Sequence, residues 1–393
     1  MASGAGKAFL VVIFAALVPL LYSRSHTLST FYTNSPHRLV RVNTAKSYDI
    51  KFQDRIRSCE DAFLVEKAGL AILACDPGRE KYNTVMNVVR PGPVASAELF
   101  AYDYATEVLQ DADSLKKIKL ASFPAEAEAD LHTLGMGYDE ETSTLFVTNH
   151  ARSGIRIEKF KLDTRELVAT HLDTISHPLL YGANSIFALS GEEILVTNDH
   201  HFTAKRSPVL SQLETYLALP LSTVVHVNLK GGEVDAHVVA RLPFANGIEV
   251  LNSTTVAVAS SSKASVLFYT RDGSDLKYHS EILTPFLPDN LSSAGGKLLI
   301  AGHAHMPTLA KFADSRHICN DPTELSQATA EMKEYCKTGT APSWVSEWSE
   351  IEGLKHVYVG DEYPSSSTFV RDVDRKVGII VGLYAKGIMV LRD

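Results

Sequence analysis

The sequence has few clustered positive charges: its 38 Lys and Arg residues are outnumbered by 46 Asp and Glu, which gives a formal charge of -8. No run of Lys and Arg is dense enough to follow a phosphate backbone, and this argues against nucleic acid as a partner. Cysteine is scarce, with four residues in all, and no two of them have the C-x2-C spacing of a typical zinc site. No tight repeat of the WD type is visible, so any repeated architecture must consist of divergent units.

A long apolar run lies at the start of the chain, from Ala8 to Tyr22, between Lys7 and a short polar stretch. It is shorter than the about 20 residues that a bilayer span needs, but it suits the apolar part of a signal peptide. We therefore predict that residues 1–25 are a signal peptide or a signal anchor. Retention is favoured because no small-x-small cleavage site directly follows Tyr22. The alternative is a buried N-terminal helix.

A leader of this kind predicts the secretory pathway, with the protein either secreted or anchored in a membrane by its N-terminus. Disulfides form in that environment. Local pairing is the simplest of the three connectivities that four cysteines allow, although the sequence does not fix it. The local pairs are Cys59 with Cys75 and Cys319 with Cys336. Asn252 and Asn290 each begin a glycosylation acceptor sequence.

From about residue 46 onward, short β-rich runs alternate with turn clusters. Glu193 to Thr197 and Thr254 to Ala259 are two such runs, and Arg271 to Ser274 is one such cluster. Many short strands at regular spacing are typical of an all-β sandwich, barrel or propeller. Six four-stranded blades need roughly 24 strands, which the roughly 340 residues after the leader can hold. We therefore predict a six-bladed β-propeller over residues 40–393.

Two stretches interrupt the β pattern. Pro208 to Leu219 has apolar residues at helical spacing and is predicted to be an amphipathic helix. This helix either packs on the propeller rim or serves as a substrate lid or membrane contact. Residues 306–350 are predicted to be a small helical insertion, with a helical run from Glu324 to Tyr335 and the second cysteine pair. We place it near the site entrance because it follows His303.

The stretch from Leu131 to His150 is predicted to be a β-hairpin with a histidine at each end. In an antiparallel pair, opposed residue numbers have a constant sum, so a turn centred on Glu141 sets His132 opposite His150. Directly opposed residues point to the same face. Two imidazoles placed in this way could share a proton or relay one to water. The alternative is that they are two unrelated turn histidines.

Carboxylate and amide side chains recur at strand ends, where the strands of a propeller surround its central channel. Buried there, each costs several kcal/mol unless something satisfies it. Calcium binds six to eight oxygen ligands of these types. The absence of imidazole and thiolate from the set disfavours zinc and copper. Each residue taken singly also suits a turn, so the prediction depends on joint placement of Glu60, Asn184, Asn246, Asp289 and Asn290.

The chain resembles the paraoxonase/arylesterase family from about Arg57 to its end, without the insertion. That family consists of six-bladed propellers with two axial calcium ions, a retained hydrophobic N-terminus, and lactonase and arylesterase activity. The resemblance therefore implies a small ester or lactone as substrate. The matching stretches, in the family's order, are Glu60-Asp61, Leu131-His132-Thr133-Leu134, Val147-Thr148-Asn149-His150, Gly182-Ala183-Asn184-Ser185-Ile186, Thr197-Asn198-Asp199-His200-His201-Phe202, Phe244-Ala245-Asn246-Gly247-Ile248, Asp289-Asn290 and Gly302-His303.

The resemblance assigns the oxygen ligands to two ions. The five residues above would hold a catalytic calcium, so Asn290 could not also carry a glycan. Asp61 and the backbone carbonyl of Leu134 would hold a structural calcium. Ser185 stands where the family usually has Asp, so this second ion is expected to be weak or missing. The cysteines that join the two ends of the family's propeller have no counterpart, and closure is expected to depend on strand pairing.

The resemblance also implies roles for four histidines. His132 and His150 match the family's histidine pair, and His200 and His303 match pocket histidines. The expected reaction is calcium-assisted hydrolysis of a lactone or aryl ester, with phosphotriester hydrolysis as a side activity. Two other interpretations stay open. One is a non-hydrolytic propeller enzyme that shapes a cyclisation in a secondary-metabolite pathway, and the other is a non-catalytic, membrane-tethered binding propeller with a purely structural calcium.

Overall fold

The structure is a computed structural model that describes residues 18–19, 21–22, 24–106 and 111–393. Most of the predicted leader, residues 1–25, lies outside the described residues. Residues 24–33 are helical. Among the helices in the described part of the chain, none has the length and apolar character needed to cross a bilayer.

Six sheets of four or five strands form the body of the protein, and this confirms the predicted propeller architecture. We number them blades 1 to 6 and give the innermost strand of each first. Blade 1 contains Cys59–Val65, Leu70–Cys75, Glu98–Asp103 and Leu115–Lys117; blade 2 contains Thr133–Asp139, Thr144–Ala151, Gly154–Asp163, Val168–Ile175 and Lys119–Ala121; blade 3 contains Ala183–Ser190, Glu193–Asn198, Ser222–Asn228 and Asp235–Leu242. Blade 4 contains Ala245–Asn252, Thr255–Ser260, Ser265–Asp272 and Asp275–Leu283; blade 5 contains Leu287–Ala294, Lys297–His303, Pro342–Ser349, Gly353–Pro364 and Val42–Asn43; blade 6 contains Ser366–Asp372, Val377–Gly382, Ile388–Arg392 and Ser47–Lys51. A separate two-stranded ribbon pairs Tyr82–Asn83 with Val88–Val89.

The innermost strands contact one another in sequence, from blade 1 to blade 6 and back to blade 1. The ring closes within blade 6, where Ser47–Lys51 pairs antiparallel with Ile388–Arg392 and Tyr48 lies opposite Leu391. Strand pairing between the two ends of the propeller therefore closes it, as the missing cysteine pair led us to expect.

The hydrophobic core lies between neighbouring blades. Ile72 of blade 1 and Leu145 of blade 2 belong to one buried cluster, and Ala257 of blade 4 and Ile300 of blade 5 belong to another. Because the second strand of a blade is covered on both faces, its sequence is almost continuously apolar, as in Leu70–Cys75.

The helices lie outside the sheets. Besides the N-terminal helix at residues 24–33, the described helices are Asp111–Ser114, Ala125–Glu128, Pro208–Leu217, Met306–Cys319, Pro322–Gln327 and Ala330–Thr338, with short 3-10 turns at Glu66–Ala68, Pro77–Glu80 and Lys230–Gly232. The insertion follows the second strand of blade 5, and its helices end at Thr338. It is shorter than the predicted range of 306–350, because Pro342–Ser349 is the third strand of that blade. Both predicted disulfides, Cys59–Cys75 and Cys319–Cys336, are present.

The helix Pro208–Leu217 does not pack on the rim through its apolar side. Val209, Leu210 and Leu213 are 69%, 42% and 46% exposed, whereas the polar Ser211 and Glu214 are buried. The Glu214 carboxylate accepts hydrogen bonds at 2.9 Å from two backbone N–H groups of the loop at 201–202. Because this polar contact fixes the helix to the propeller, the apolar side faces outward.

Candidate metal and active site

A β-bulge interrupts each of the six innermost strands near its start. A bulge inserts an extra residue and redirects its side chain, and it is often found beside active sites. Five of the six bulges contain or adjoin residues predicted to bind calcium. The register shifts fall between Cys59 and Asp61, Thr133 and Met136, Ala183 and Ile186, Ala245 and Ile248, Pro288 and Leu291, and Ser366 and Thr368.

These bulges bring the predicted ligands together at one central cavity. Its lining includes Glu60, Asn184, Asn246 and Asp289. The fifth residue, Asn290, contacts the same group, since its Nδ2 donates to Oε1 of Glu60 at 3.3 Å. All five are buried, with no more than 5% of any of them exposed. The cavity is narrow, with about 60 Å³ of space for water-sized molecules.

Four buried oxygens of this cluster have no hydrogen-bond partner among the residues that the structure describes, three on residues that line the central cavity and one on Asn290. They are Oε2 of Glu60 and Oδ1 of Asn184, Asn246 and Asn290. In each amide the nitrogen does have a partner. For example, Asn246 Nδ2 donates to Ser261 Oγ at 3.0 Å, and Asn290 Nδ2 donates to Thr368 Oγ1 at 3.0 Å. An unsatisfied buried acceptor costs about 1–3 kcal/mol, so a ligand shared by these four oxygens would stabilise the fold.

The chemistry of the donor set fits a hard cation such as calcium. Burial raises the pKa of Glu60 well above its ordinary value; the Arg79 guanidinium opposes this effect, and the Asp289 carboxylate adds to it. A bound cation would stabilise both carboxylates in their charged form. Within the described part of the chain, no three His, Cys, Asp or Glu side chains form a metal-binding group. The predicted calcium ligands do not form a group of that kind, because three of the five, Asn184, Asn246 and Asn290, are amides.

The two predicted pocket histidines lie at different depths. His303 lines the central cavity; its Nε2 lies 2.9 Å from Oδ2 of Asp289, and its Nδ1 has no partner among the described residues. His200 lies in the wall, where Nδ1 contacts Asp199 Oδ1 at 2.9 Å and Nε2 contacts Thr215 Oγ1 at 2.6 Å.

The hairpin places His132 opposite His150, as the constant-sum argument predicted. Thr133 pairs with Asn149, and the backbone N–H of His150 donates to the carbonyl of His132 at 2.8 Å. Near the turn, however, Asp139 pairs with Thr144. The strand register there is shifted by one residue relative to the register at the two histidines. The bulge in Thr133–Asp139 restores the register that brings the two histidines together.

Both histidine rings are buried and held by polar partners. Nδ1 of His132 lies 3.3 Å from Oδ2 of Asp76. Nε2 of His150 lies 2.6 Å from the carbonyl oxygen of Ala183, which can only accept, so this nitrogen carries the proton. His150 Nδ1 must then accept from the hydroxyl of Thr84.

The electrostatics of the pair follow from these contacts. Burial lowers the pKa of His150, so its imidazole resists protonation. The two rings line a small space that adjoins the central cavity, with Asn83 and Leu134 lining both. The histidine pair therefore lies beside the oxygen cluster, and His303 is the histidine inside the cavity.

Asp61, predicted for a second calcium, has several partners within the protein. Its Oδ2 accepts from the backbone N–H of Met136 at 2.7 Å, and Oδ1 accepts from Ala62 N–H at 2.8 Å and Thr368 Oγ1 at 3.0 Å. Burial raises the pKa of Asp61 to about 6 against these hydrogen bonds. Leu134 lines the central cavity, and Ser185 contributes no carboxylate.

Sequence reasoning missed two charged residues of this region. Arg79 is 2% exposed and donates to the carbonyl of Thr133, so it is a buried cation beside the site. Asp76 is 1% exposed and contacts His132. Both belong to the sequence Asp-Pro-Gly-Arg-Glu, whose composition is that of an exposed turn. Nothing in that pattern indicates burial.

Three helical segments outside the sheets also line the central cavity: the N-terminal helix at residues 24–33, the helix Pro208–Leu217 and the insertion. They contribute Phe31, Tyr216, Met306 and Leu309, together with the buried Arg24. The cavity is therefore lined by apolar side chains as well as by the oxygen cluster.

The fold and the site thus define a six-bladed β-propeller with a buried cluster of oxygen atoms at its centre that lack hydrogen-bond partners among the described residues. The family model described as Arylesterase matches residues 93–320, more than half of the chain. The chain therefore belongs to the arylesterase family, and the resemblance to paraoxonases is confirmed.

The individual relatives match over shorter stretches. Serum paraoxonase/arylesterase 2 of Bos taurus is 38% identical over 111 residues, which cover 28% of this chain and 30% of the relative. Serum paraoxonase/lactonase 3 of Oryctolagus cuniculus is 34% identical over 178 residues, which cover 44% of this chain and 48% of the relative. The matched part thus spans half or less of these relatives.

A solved structure of a putative gluconolactonase superimposes on the chain with a TM-score of 0.50 and 11% sequence identity. The superposition covers 90% of this chain and 97% of that structure. At this identity the similarity shows the fold alone.

Proposed function

We propose that this protein hydrolyses lactones or aryl esters with the aid of one calcium ion held by Glu60, Asn184, Asn246, Asp289 and Asn290. The observation that supports this most directly is the set of four unpartnered buried oxygens at the central cavity. Family membership and relatives named as arylesterase and lactonase agree with it. Asp61 already has protein partners, which favours one ion rather than two.

A calcium ion in this site would supply a Lewis acid that polarises the substrate carbonyl and stabilises negative charge on its oxygen. The protein's own residues would supply the base. With its proton on Nδ1, His132 donates to Asp76 and leaves Nε2 free to take a proton from water. His150 has a positioning role, because both of its nitrogens are occupied and its lowered pKa disfavours accepting charge.

His303 is the second candidate base. It lines the cavity with a free Nδ1 and contacts the Asp289 carboxylate through Nε2. A substrate in the cavity would lie nearer to His303 than to the histidine pair beside it. Comparison of His132→Gln with His303→Gln decides which imidazole takes the proton.

The test is the turnover of a panel of lactones, aryl esters and phosphotriesters by the purified chain, with calcium and after chelation. We expect calcium-dependent turnover of lactones or aryl esters, with weaker turnover of phosphotriesters. Asp289→Ala should lose turnover and calcium together, whereas His132→Gln should lose turnover with calcium retained. His279→Gln, on an exposed outer strand, is the matched control. Absence of turnover across the panel, with calcium bound, would favour a binding propeller or a non-hydrolytic enzyme.

We also propose that the face around the cavity mouth associates with a membrane. Leu28 and Tyr32 of the N-terminal helix are 50% and 64% exposed, close in sequence to the cavity-lining Phe31, and the helix Pro208–Leu217 adds Leu210 and Leu213. Co-sedimentation with phosphatidylcholine vesicles should fall in Leu210→Ser/Leu213→Ser. Ile351→Ser removes a 97% exposed apolar residue in blade 5 and should leave binding unchanged.

A further inference from the structure

A second and larger cavity lies between blades 2 and 3, beside the histidine pair. Its volume is about 910 Å³, within the range of pockets that hold small molecules. Its lining includes His150, Tyr181 and Asp199, and the segment 201–207. The ribbon Tyr82–Asn83 and Thr84 separate the two cavities, since Tyr82 and Thr84 line this one and Asn83 lines the central one.

The exposed charged side chains in the described lining of this cavity are positive, although the chain as a whole is acidic. Lys205 and Arg206 line it and are exposed. Lys205 Nζ donates to the backbone carbonyl of Arg152 at 2.9 Å, and the Arg152 guanidinium lies 6.0 Å from the centre of the Tyr82 ring. Among the described lining residues, Asp199 is the only carboxylate, and it is buried against His200.

One buried polar group in the lining has no partner within the described part of the chain. The hydroxyl of Tyr82 accepts and donates no hydrogen bond there, although the residue is only 7% exposed. Its ring is fixed against that of His132, with centroids 4.9 Å apart. Because burial raises the pKa of Tyr82, the hydroxyl stays protonated and is a donor that lacks an acceptor.

Part of the lining is aromatic. The rings of Tyr181 and His201 are 5.8 Å apart and those of His201 and Phe202 are 4.9 Å apart, both edge to face. Such a wall suits the flat or apolar body of a small molecule. Cationic side chains and a free hydroxyl suit an anionic head group.

We propose that this second cavity binds a small organic anion with an aromatic or apolar body, held by Lys205, Arg206 and the hydroxyl of Tyr82. Hydrolysis of an ester or lactone produces a carboxylate of this kind. If the ligand is that product, its role depends on the proposed function, whereas the binding itself does not. A free organic anion from another source has the same chemistry.

The experiment is calorimetric titration of the full chain with 3-phenylpropionate and with its neutral amide as the matched probe. We expect saturable binding of the carboxylate and at least roughly tenfold weaker binding of the amide, because the charge-assisted contacts are lost. Lys205→Gln/Arg206→Gln should weaken carboxylate binding by a similar factor. Lys116→Gln/Arg165→Gln removes two exposed cations elsewhere and should bind as the unmodified chain does.

Two further variants test whether the hydroxyl of Tyr82 contributes to binding and whether this site is separate from the calcium site. Tyr82→Phe should weaken carboxylate binding without lowering the melting temperature, since its hydroxyl makes no hydrogen bond in the free protein. Asp289→Ala should still bind the carboxylate, which separates this site from the calcium site. The proposal is wrong if carboxylate and amide bind equally, if no binding occurs, or if Asp289→Ala abolishes binding while Lys205→Gln/Arg206→Gln does not.

Inhibition of ester turnover separates the two sources of the anion. If 3-phenylpropionate inhibits turnover over the same concentration range in which it binds, and the Lys205→Gln/Arg206→Gln variant escapes inhibition, the site receives product. Binding without inhibition supports the same site with an independent organic anion as its ligand.

Discussion

A Cβ atom on Gly247 would lie 2.6 Å from the Cα atom of Asn290. The bulges of blades 4 and 5 therefore touch backbone to backbone, next to the side chains of Asn246, Asp289 and Asn290. A similar contact joins blades 2 and 3, where a Cβ atom on Gly135 would lie 2.5 Å from the carbonyl oxygen of Asn184. The missing side chains of these glycines set the spacing of the donor cluster.

Gly247→Ala should disturb this spacing. The new methyl group would meet the backbone of residues 289–291, which cannot move aside as a side chain can. We expect a loss of roughly 1–3 kcal/mol in unfolding free energy, as for other overpacked sites, and weaker calcium binding. Gly296→Ala, where a Cβ meets nothing within 4 Å and the strain comes only from a φ angle of 74°, is the control for a loss of stability without a steric contact at the site. If both variants bound calcium with the same affinity, the close contact between Gly247 and residues 289–291 would not determine the geometry of the calcium site.

Asp76→Asn should slow hydrolysis with little effect on calcium affinity. The carboxylate holds the proton of His132 on Nδ1, and an amide can instead donate to Nδ1 and move the proton to Nε2, where the base is needed. We expect turnover to fall at least about tenfold, less than the roughly 10²–10⁴-fold that a general base contributes, because the imidazole itself is retained. Asp130→Asn is the control, because Asp130 lies 3.7 Å from Nε2 of His132 and mainly binds backbone N–H groups. If Asp130→Asn lost more turnover than Asp76→Asn, Asp130 rather than Asp76 would be the carboxylate that positions His132.

Glu249→Gln should change how stability depends on pH. Burial raises the pKa of Glu249 from 4.5 to about 8, so between these values the folded state holds a proton that the unfolded chain releases. Folding stability must therefore fall as pH rises through this window. The variant, which cannot ionise, should match the unmodified chain near pH 5 and exceed it in melting temperature at pH 9. A constant difference from pH 5 to pH 9 would show that Glu249 ionises normally.

The Cys59–Cys75 disulfide lies directly before the bulge at Glu60, and its two residues are opposed across the first strand pair of blade 1. A bond that closes a loop of this size contributes about 3 kcal/mol. Cys59→Ala/Cys75→Ala should lose stability of that order and also bind calcium more weakly. Cys319→Ala/Cys336→Ala should loosen the insertion and leave calcium affinity unchanged. If removal of either disulfide lowered calcium affinity by the same factor, the loss would come from lower global stability and not from a local effect on the calcium site.

Much of the fold follows from the sequence, because strand patterns and turn clusters are local signals. The predicted donor set depends on polar residues at strand ends, most of them flanked by apolar residues, and its role as a metal site stays a prediction. What the sequence did not show depends on contacts made elsewhere in the chain. The outward apolar face of Pro208–Leu217 results from Glu214, which bonds to the backbone of the loop at 201–202 rather than to its own helix. The burial of Arg79 depends on the carbonyl of Thr133, far away in sequence.

The hairpin that carries His132 and His150 shows the same difference between what local sequence patterns predict and what tertiary contacts determine. A constant register counted from the turn predicted the right pair, but the turn itself has a register one residue different. The bulge that compensates is invisible in the pattern of Thr133–Asp139, because it arises from packing around the central channel. The local sequence pattern predicted which two histidines face each other, whereas tertiary packing determines the bulge that brings them together.

Calorimetric titration with calcium, on the unmodified chain and on Asp289→Ala, tests the central claim most directly. We predict one calcium ion per chain, and loss of binding in the variant with its secondary structure retained. Asp272→Ala, which removes an exposed carboxylate in blade 4, should bind as the unmodified chain does. Calcium binding that Asp289→Ala leaves unchanged, or an unmodified chain that binds none, would contradict a cation site at the axis of this propeller.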